Sequence, residues 1–498
     1  MSSVSSRTSS IRLPAVLAIG FTGHRSLQNE PKLRQMVVDY LRQQKAASPW
    51  TVYGVSSAAA GGDQIFAESC LELEVPLRVL LPKPVEHFRN DFNPESWQRT
   101  EKILERAVSV EVTGNRNEGK EQYYDCGIQT IAESQLLIAI WDGQPSRGAG
   151  GTQDIVSYAE KIGHPVVWIH SVTGELKTLN EAAARRMRIH PELDFLNGLP
   201  DMGITPASGS SKDLALAFLQ KLDENANRVA PQTRRLASIP IVYTAAAAVL
   251  SGVAPEIPSA APWLVLSAVL GIVAIALPEV LRLHARQALW ARTRTAAEIS
   301  RSVLSLWNTP TLYNVIGPEL ISDLAGILRS MNFLKMDDRR RKGSSLDDFK
   351  TEYRRDRVAH QMAYFSRQAA RAEKQEHRLQ TVSWICGVLA ILTAFGYLIT
   401  RTRWITVQDV PHQWIALVMS SLFEIATMAG AFALVKDSAR RRRRYREMSD
   451  CLCQWDKQLD ALRTWNSVLQ VAEQIERALL VELLEWRSMV LAAGLARK

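Results

Sequence analysis

Four apolar segments govern what this chain can become: Leu236–Ala254, Pro262–Val280, Val382–Thr400 and Trp414–Val435. Each is near the roughly 20 residues that carry a helix across a bilayer. The averages hide them, because a 46% hydrophobic share and a mean hydropathy of −0.09 belong to a water-soluble chain. The first two segments are joined by Pro255–Ala261 and the last two by Arg401–Gln413, and joints so short make two antiparallel hairpins. Four buried core helices of a large soluble bundle are the alternative. Against it stand the basic residues that bracket the segments.

Those residues carry much of the formal charge of +9. Arg234 and Arg235 precede the first segment, and Arg282, Arg286, Arg292 and Arg294 follow the second. Arg367, Arg371, Lys374 and Arg378 precede the third, and Lys436 with the run Arg440–Arg444 follows the fourth. The hairpin tips carry only Arg401 and Arg403. Lys/Arg bias places both termini in the cytoplasm. The N-terminal MSSVSSRTSSIRLP has no apolar core of a secretory signal and is expected to be a disordered arm over 1–15. No aromatic-interleaved basic patch is present, so nucleic acid is not an expected partner. Five cysteines show no pairing pattern, which excludes a disulfide framework and fits a reducing compartment. The lone Cys451–Cys453 spacing reads as helix surface rather than as a metal centre, and no metal is expected.

Before the apolar segments, short apolar runs alternate with helical stretches. Strands are expected at Val16–Phe21, Thr51–Val55, Leu77–Leu81, Ser109–Val112, Leu136–Trp141 and Val166–Ile169. Several are continuous apolar runs, as in strands buried on both faces of a parallel sheet. Helices are expected at Pro31–Gln44, Asp63–Glu74, Tyr123–Ser134 and Thr152–Ile162. This is an α/β fold with a doubly wound parallel sheet, followed by an all-α membrane region. Pro200–Lys212, rich in Gly, Pro and Ser, reads as a linker.

The flanks of the two hairpins share a layout of helix, hairpin and helix, with a Trp-Asn pair at Trp307–Asn308 and again at Trp465–Asn466. An internal repeat follows, with modules at 213–308 and 356–498 and a connecting segment at 309–355. Leu452, Trp455, Leu459, Leu462, Leu469, Ala472, Ile475, Leu479, Leu483 and Trp486 form a packing stripe that seeks a helix of the same chain or of another copy, so a homo-oligomer is expected.

Three Gly-rich turns follow strands, where open α/β sheets bind ligands. In AIGFTGHRSL, Gly23 lets backbone approach a ligand, and His24 and Arg25 add donors; a plain surface turn reads equally well. In GVSSAAAGGDQIFAE, Ser56, Ser57, Gly61, Gly62 and Asp63 lead into a helix, offering hydroxyls and N–H groups, or only a turn with Asp63 as N-cap. In LLIAIWDGQPSRGAGGTQDIV, Asp142 and Gly143 end a strand, and Gly150, Gly151 and Thr152 open a helix. Asp142 suits ribose hydroxyls or a base amine and the Gly-Gly-Thr turn suits phosphate, or Thr152 is a simple cap.

Together the GHR, AAGGD and WDG…GGT segments resemble the SLOG family of Rossmann-like domains over roughly 16–169. The paired hairpins resemble SLATT-type two-span membrane modules of bacterial conflict systems. The resemblance implies a ligand-sensing domain over 16–199 that binds a nucleotide-derived second messenger, ADP-ribose-like or cyclic, in a crevice lined by the residues just named. It implies an oligomeric effector in the bacterial inner membrane that opens pores or disrupts the bilayer in antiphage defence, coupled through 200–212. The hydrolytic relatives carry Glu three residues after the Thr of the turn, where this chain has Ile155, with Asp154 beside it. That weighs against an enzyme and leaves no catalytic residue to name. A membrane-anchored nucleotide hydrolase and a protein-recruiting membrane scaffold are the alternatives. Glu424, near the middle of the fourth segment, costs roughly 2–3 kcal/mol if ionised there. It is expected to face a pore, a water cavity or a partner helix, and Glu279 is expected to lie close enough to the membrane edge to reach water.

Overall fold

The computed structural model describes residues 10–47, 50–113, 119, 121–145, 150–186, 191–254, 259–281, 283–312, 323–338, 345–401, 412–436 and 438–495. Within these, the side chains of 50, 234, 237, 238, 253, 284, 400, 401, 412–414, 416, 417, 431–436, 438 and 492–495 are not described. The chain forms two compact units, Met1–Lys221 with Ile299–Gly343, and Leu222–Glu298 with Ser344–Lys498.

The first unit is built on seven strands: β1 (Ala15–Gly23), β2 (Trp50–Ser56), β3 (Leu77–Leu81), β4 (Ser109–Val112), β5 (Leu136–Trp141), β6 (Val166–His170) and β7 (Leu176–Leu179). Their order is β4-β3-β2-β1-β5-β6-β7. All neighbours pair in parallel except the edge strand β7, which runs antiparallel to β6. The six expected strands stand where their apolar runs lie. The seventh, LKTL, is short and half exposed, so no continuous apolar run marks it.

The helices between strands are α1 (Glu30–Ala46), α2 (Gly62–Glu72), α3 (Val85–Phe88), α4 (Pro94–Arg106), α5 (Glu121–Ala132) and α6 (Thr152–Lys161), with α7 (Glu181–Arg186) and α8 (Pro191–Asn197) after the sheet. Side chains alternate across β1. Leu17, Ile19 and Phe21 enter one core layer with residues of α1, α2 and α4. Val16 and Ala18 enter the opposite layer with Cys126 of α5. Both faces are therefore covered, which is why these strands read as apolar without interruption.

Residues 10–14 depart from the expected disordered arm, of which 1–9 lie outside the described residues. Ile11 and Leu13 are buried. The Leu13 amide donates to Asn197 Oδ1 at 2.9 Å, and the buried Lys221 ammonium donates to the Ile11 carbonyl at 2.9 Å. The expected linker is also tied at its start, because Asp201 pairs with Lys221 at 2.8 Å. The unit draws in a later stretch as well. Leu312 and Met336 join the layer under Val16, Ala18 and Tyr53, and Ser330 donates to the Pro14 carbonyl at 2.6 Å.

The remaining helices are α9 (Ser211–Val253), α10 (Ala260–Val280), α11 (Leu283–Ser305), α12 (Ala325–Asp338), α13 (Leu346–Tyr353), α14 (His360–Arg401), α15 (His412–Lys436), α16 (Ser438–Ala461) and α17 (Trp465–Leu495). Helix α12 belongs to the first unit; α10 and α13–α17 belong to the second, with α9 from Leu222 and α11 to Glu298. In the second unit, Ser267 donates to the Ala247 carbonyl at 2.7 Å, pinning α10 to α9. Ser383 donates to the Ala426 carbonyl at 2.9 Å, pinning α15 to α14.

Two helices among the described residues are long and apolar enough to cross a membrane: Ala260–Val280 and the helical run Leu346–Ile399, at hydropathies of 2.3 and 2.1. The expected four full-length segments are met at these two. The apolar stretches Ile239–Gly252 and Val418–Gly430 are shorter, and the residues bounding them fall among the undescribed side chains. The apolar surface of the long pair is turned outward rather than into a core, as a membrane helix requires and a soluble bundle does not.

The packing stripe finds its partners within the chain: Leu452, Leu459, Leu469, Ala472, Ile475 and Leu479 are buried, and Trp486 packs edge-on against Trp290 at 4.9 Å. The arginine run is likewise engaged. Arg446 holds Glu373 at 2.9 Å and Arg444 holds Glu485 at 2.8 Å, joining α16 to α14 and α17.

Candidate functional site

The strand order reverses at β1, which has β2 on one side and β5 on the other. Helix α1 after β1 packs in one core layer and α6 after β5 in another, and in such sheets ligands usually bind in the crevice at the carboxyl ends of these two strands. The GHR turn leaves β1 there and the WDG turn leaves β5. The His24 amide donates to the Ile140 carbonyl at 3.1 Å, locking the turn to β5. His24 Nε2 stands 3.0 Å from Asp142 Oδ1 and 3.2 Å from the Asp142 amide nitrogen. A single ring nitrogen serves one of these at a time: protonated it donates to the carboxylate, bare it accepts from the amide. The Gln144 amide, donating at 3.0 Å, holds the Asp142 carboxyl below its usual range; burial opposes it, and His24 adds to the lowering.

The second turn is packed into the first. Gly62 donates to the His24 carbonyl at 3.0 Å. A Cβ on Gly61, whose φ is +84°, would lie 2.4 Å from the Arg25 carbonyl oxygen. A Cβ on Gly62 would lie 3.2 Å from the Gly23 Cα. These glycines let two backbone turns touch each other, which accounts for them without a ligand. Asp63 is buried and is not the N-cap; Gly61 takes that position. The Asp63 carboxylate accepts from Ser57 Oγ at 2.8 Å and Ser56 Oγ at 3.1 Å, so both hydroxyls are given to it rather than held out for a ligand. Burial pushes its carboxyl up to about 6, opposed by the two serines and by Arg25. Between them Ala58 sits at φ +53°, held by Thr100 Oγ1 on its carbonyl at 2.9 Å. Such a conformation is disfavoured for a residue with a Cβ, and small Ala minimises the cost.

In the third turn, Gly151 occupies the cap position of α6, ahead of the buried Thr152, so Thr152 is not the cap. The Gly150 amide donates to Asp154 Oδ2 at 3.1 Å, which folds that carboxylate back onto the turn. Ile155 is core: a Cβ on Gly127 of α5 would lie 2.3 Å from Ile155 Cδ1. Gly143, at φ +78°, lies over the Trp168 ring.

Beside these turns the fold gathers residues that sequence reasoning missed. Lys83, two residues past β3, pairs with Asp91 at 2.8 Å. The Tyr123 hydroxyl of α5 donates to the other Asp91 oxygen. Arg25 Cζ lies 5.3 Å from the Tyr123 ring centroid and Lys83 Nζ lies 5.5 Å from it. Burial and then Asp91 push the Tyr123 phenol up. Burial pulls Lys83 down, but its bonds to Asp91 and Tyr123 outweigh that and leave it above its ordinary value. Arg25 is exposed and, among the described residues, has no carboxylate bonded to it. Lone polar residues at 83, 91 and 123 carry no local signal.

The membrane candidates lie elsewhere. Glu424 of α15 faces α9, where a Cβ on Gly252 would be 2.7 Å from its Oε1. That is an interhelical contact across the two hairpins. Glu279 stands in the last turn of α10, next to Pro278. Among the described residues no cluster of His, Cys, Asp and Glu is arranged to hold a metal. No protein-family model matches this chain, and no curated protein matches it.

Proposed function

We propose that this protein is a membrane effector whose α/β unit senses a nucleotide-derived ligand and whose helical unit acts on the bilayer. One juxtaposition carries the reading: the His24–Asp142 pair stands at the strand-order reversal beside Arg25, which has no carboxylate bonded to it among the described residues, in a chain that also bears long helices with outward apolar faces. The pair offers a carboxylate for ribose hydroxyls or a base amine, and Arg25 offers a fork of donors for phosphate. The tie between Asp154 and the Gly150 amide counts against the hydrolase alternative, since it engages the nearest acid.

In this reading α9 with α10, and α14 with α15, form two membrane hairpins, four segments in all, with both termini in the cytoplasm of the inner membrane and several copies assembling. The serine pins between paired helices support the hairpins. The basic residues at their bases support the orientation. The resemblance to SLOG and SLATT modules is what favours a role in antiphage defence. Cysteines placed at 235 and 440 should be shielded from impermeant maleimide in intact cells, and cysteines at 258 and 407 should react.

The full chain in dye-loaded liposomes should release dye only when the matching member of a panel of ADP-ribose and cyclic mono- and dinucleotides is added. His24→Ala with Asp142→Asn should silence it. Binding without release, across the whole panel, would remove the effector half of the reading.

A further inference from the structure

The α6 N-terminus is the obvious phosphate seat in a fold of this kind, but it already holds an anion. The Asp154 carboxylate accepts the Gly150 amide at 3.1 Å and lies in the first turn of the helix. There it answers the positive end of the helix dipole and repels a second negative group. The second turn is closed in its own way, since the hydroxyls of Ser56 and Ser57 point at Asp63.

The opposite side of the crevice is different. Arg25 leaves β1 exposed, held over the Tyr123 ring, with its guanidinium N–H groups bonded to nothing among the described residues. Lys83 leaves β3 and approaches the same ring, 5.5 Å from its centroid. Its ammonium has three donors. Asp91 and Tyr123 engage two of them, and among the described residues the third has no partner. Three elements thus bring two cations onto one aromatic ring, with a single carboxylate between them. Two like charges brought together repel, and a bound anion relieves that repulsion.

We infer that Arg25 and Lys83, seated on Tyr123, form the phosphate subsite of the crevice, and that the ligand lies with its phosphates toward β3 and its nucleoside toward His24 and Asp142. This rests on the nucleotide reading proposed above, and it assigns the ligand class as one bearing a pyrophosphate or comparable paired phosphates. Tyr123 is a positioning residue: its hydroxyl fixes Asp91, and Asp91 fixes Lys83.

The test uses the full chain in nanodiscs and isothermal titration with pyrophosphate, ADP and adenosine. Arg25→Gln and Lys83→Gln should each weaken pyrophosphate and ADP about tenfold or more, as loss of a charge-assisted bond to phosphate predicts, and leave adenosine unchanged. Tyr123→Phe should weaken ADP by a smaller factor. Thr152→Ala should stay within about twofold of wild type. Unchanged thermal melting guards against misfolding as the cause. ADP binding that survives both Gln variants but falls with Thr152→Ala overturns the subsite and spares the nucleotide reading. Pyrophosphate binding through Arg25 and Lys83, with ADP and adenosine both excluded, keeps the subsite and removes the nucleotide reading. Binding of none of the three overturns the subsite.

Discussion

The two units dispose of their large apolar side chains differently. In the α/β unit Phe66, Phe88 and Phe218 are fully buried, and Phe21 stacks on Phe66 at 4.9 Å. In the helical unit Ile275, Trp384, Ile391 and Phe423 are 75%, 70%, 69% and 66% exposed. Beside its apolar packing stripe that unit also buries charge. Arg357 meets Glu476 at 2.6 Å and Glu298 at 2.9 Å, and Tyr353 donates to Glu476 at 2.9 Å. A π-helical stretch, Arg354–Ala359, carries Arg357 inward. Exposed apolar area costs about 25 cal/mol per Å² in water. Acyl chains remove that cost, which is the physical ground for the membrane reading. The interior charges then join helices α11 and α17 to the π-helical stretch with a geometry that apolar contacts do not specify.

The largest expected effect strikes the buried charges. Arg357→Met removes the guanidinium that two buried carboxylates share and should cost about 3–5 kcal/mol. Thermal unfolding in detergent measures this, and adding Glu298→Gln and Glu476→Gln should restore most of the loss. An unchanged melting temperature in the single variant would break the comparison from the helical side. Next comes Ile391→Lys, which puts a charge on the outward face and should oppose insertion by about 3 kcal/mol. The variant should leave the carbonate-resistant membrane fraction while Ile391→Leu stays; equal retention of both would mean that this face does not meet lipid.

Asp63 tests the α/β side. Its carboxyl is raised from 3.8 to about 6, chiefly by burial. A raised folded-state value means that its stabilising contribution is complete below 3.8 and is lost as pH climbs through about 6. Asp63→Asn keeps an acceptor for the serines and loses no proton. Its advantage over wild type should grow to about 2–3 kcal/mol above that range. Urea midpoints from about pH 4.5 to about pH 7 measure it; parallel curves for the two proteins would refute the assignment. The smallest effect belongs to His24→Ala. The His24–Asp142 pair is about one-third exposed, so its stability cost should be under about 1 kcal/mol. Ligand binding should fall nonetheless, and a stability loss well above that figure would make the pair structural.

How much was legible follows from range. Most of the six parallel strands are legible because they are their own apolar runs, as in LLIAIW at β5. The turns His24, Asp63 and Asp142 were legible because Gly and polar residues cluster at strand ends. Whether their atoms are free was not. Ser56 and Ser57 offer hydroxyls in sequence and spend them on Asp63 in the fold. Lys83, Asp91 and Tyr123 carry no local mark, and α12 reaches the sheet from a segment that reads only as a connector.

The sequence by itself determined the parallel sheet, the apolar helices and their basic flanks, because periodicity and composition act over a few turns of chain. The tertiary structure alone decided how the polar groups are engaged: Asp154 closes the α6 turn, Asp63 absorbs two serines, and Arg25 stands over Tyr123 with no carboxylate bonded to it among the described residues. Hydrogen bonding is a matter of ångström proximity between distant residues, and the fold alone supplies that proximity.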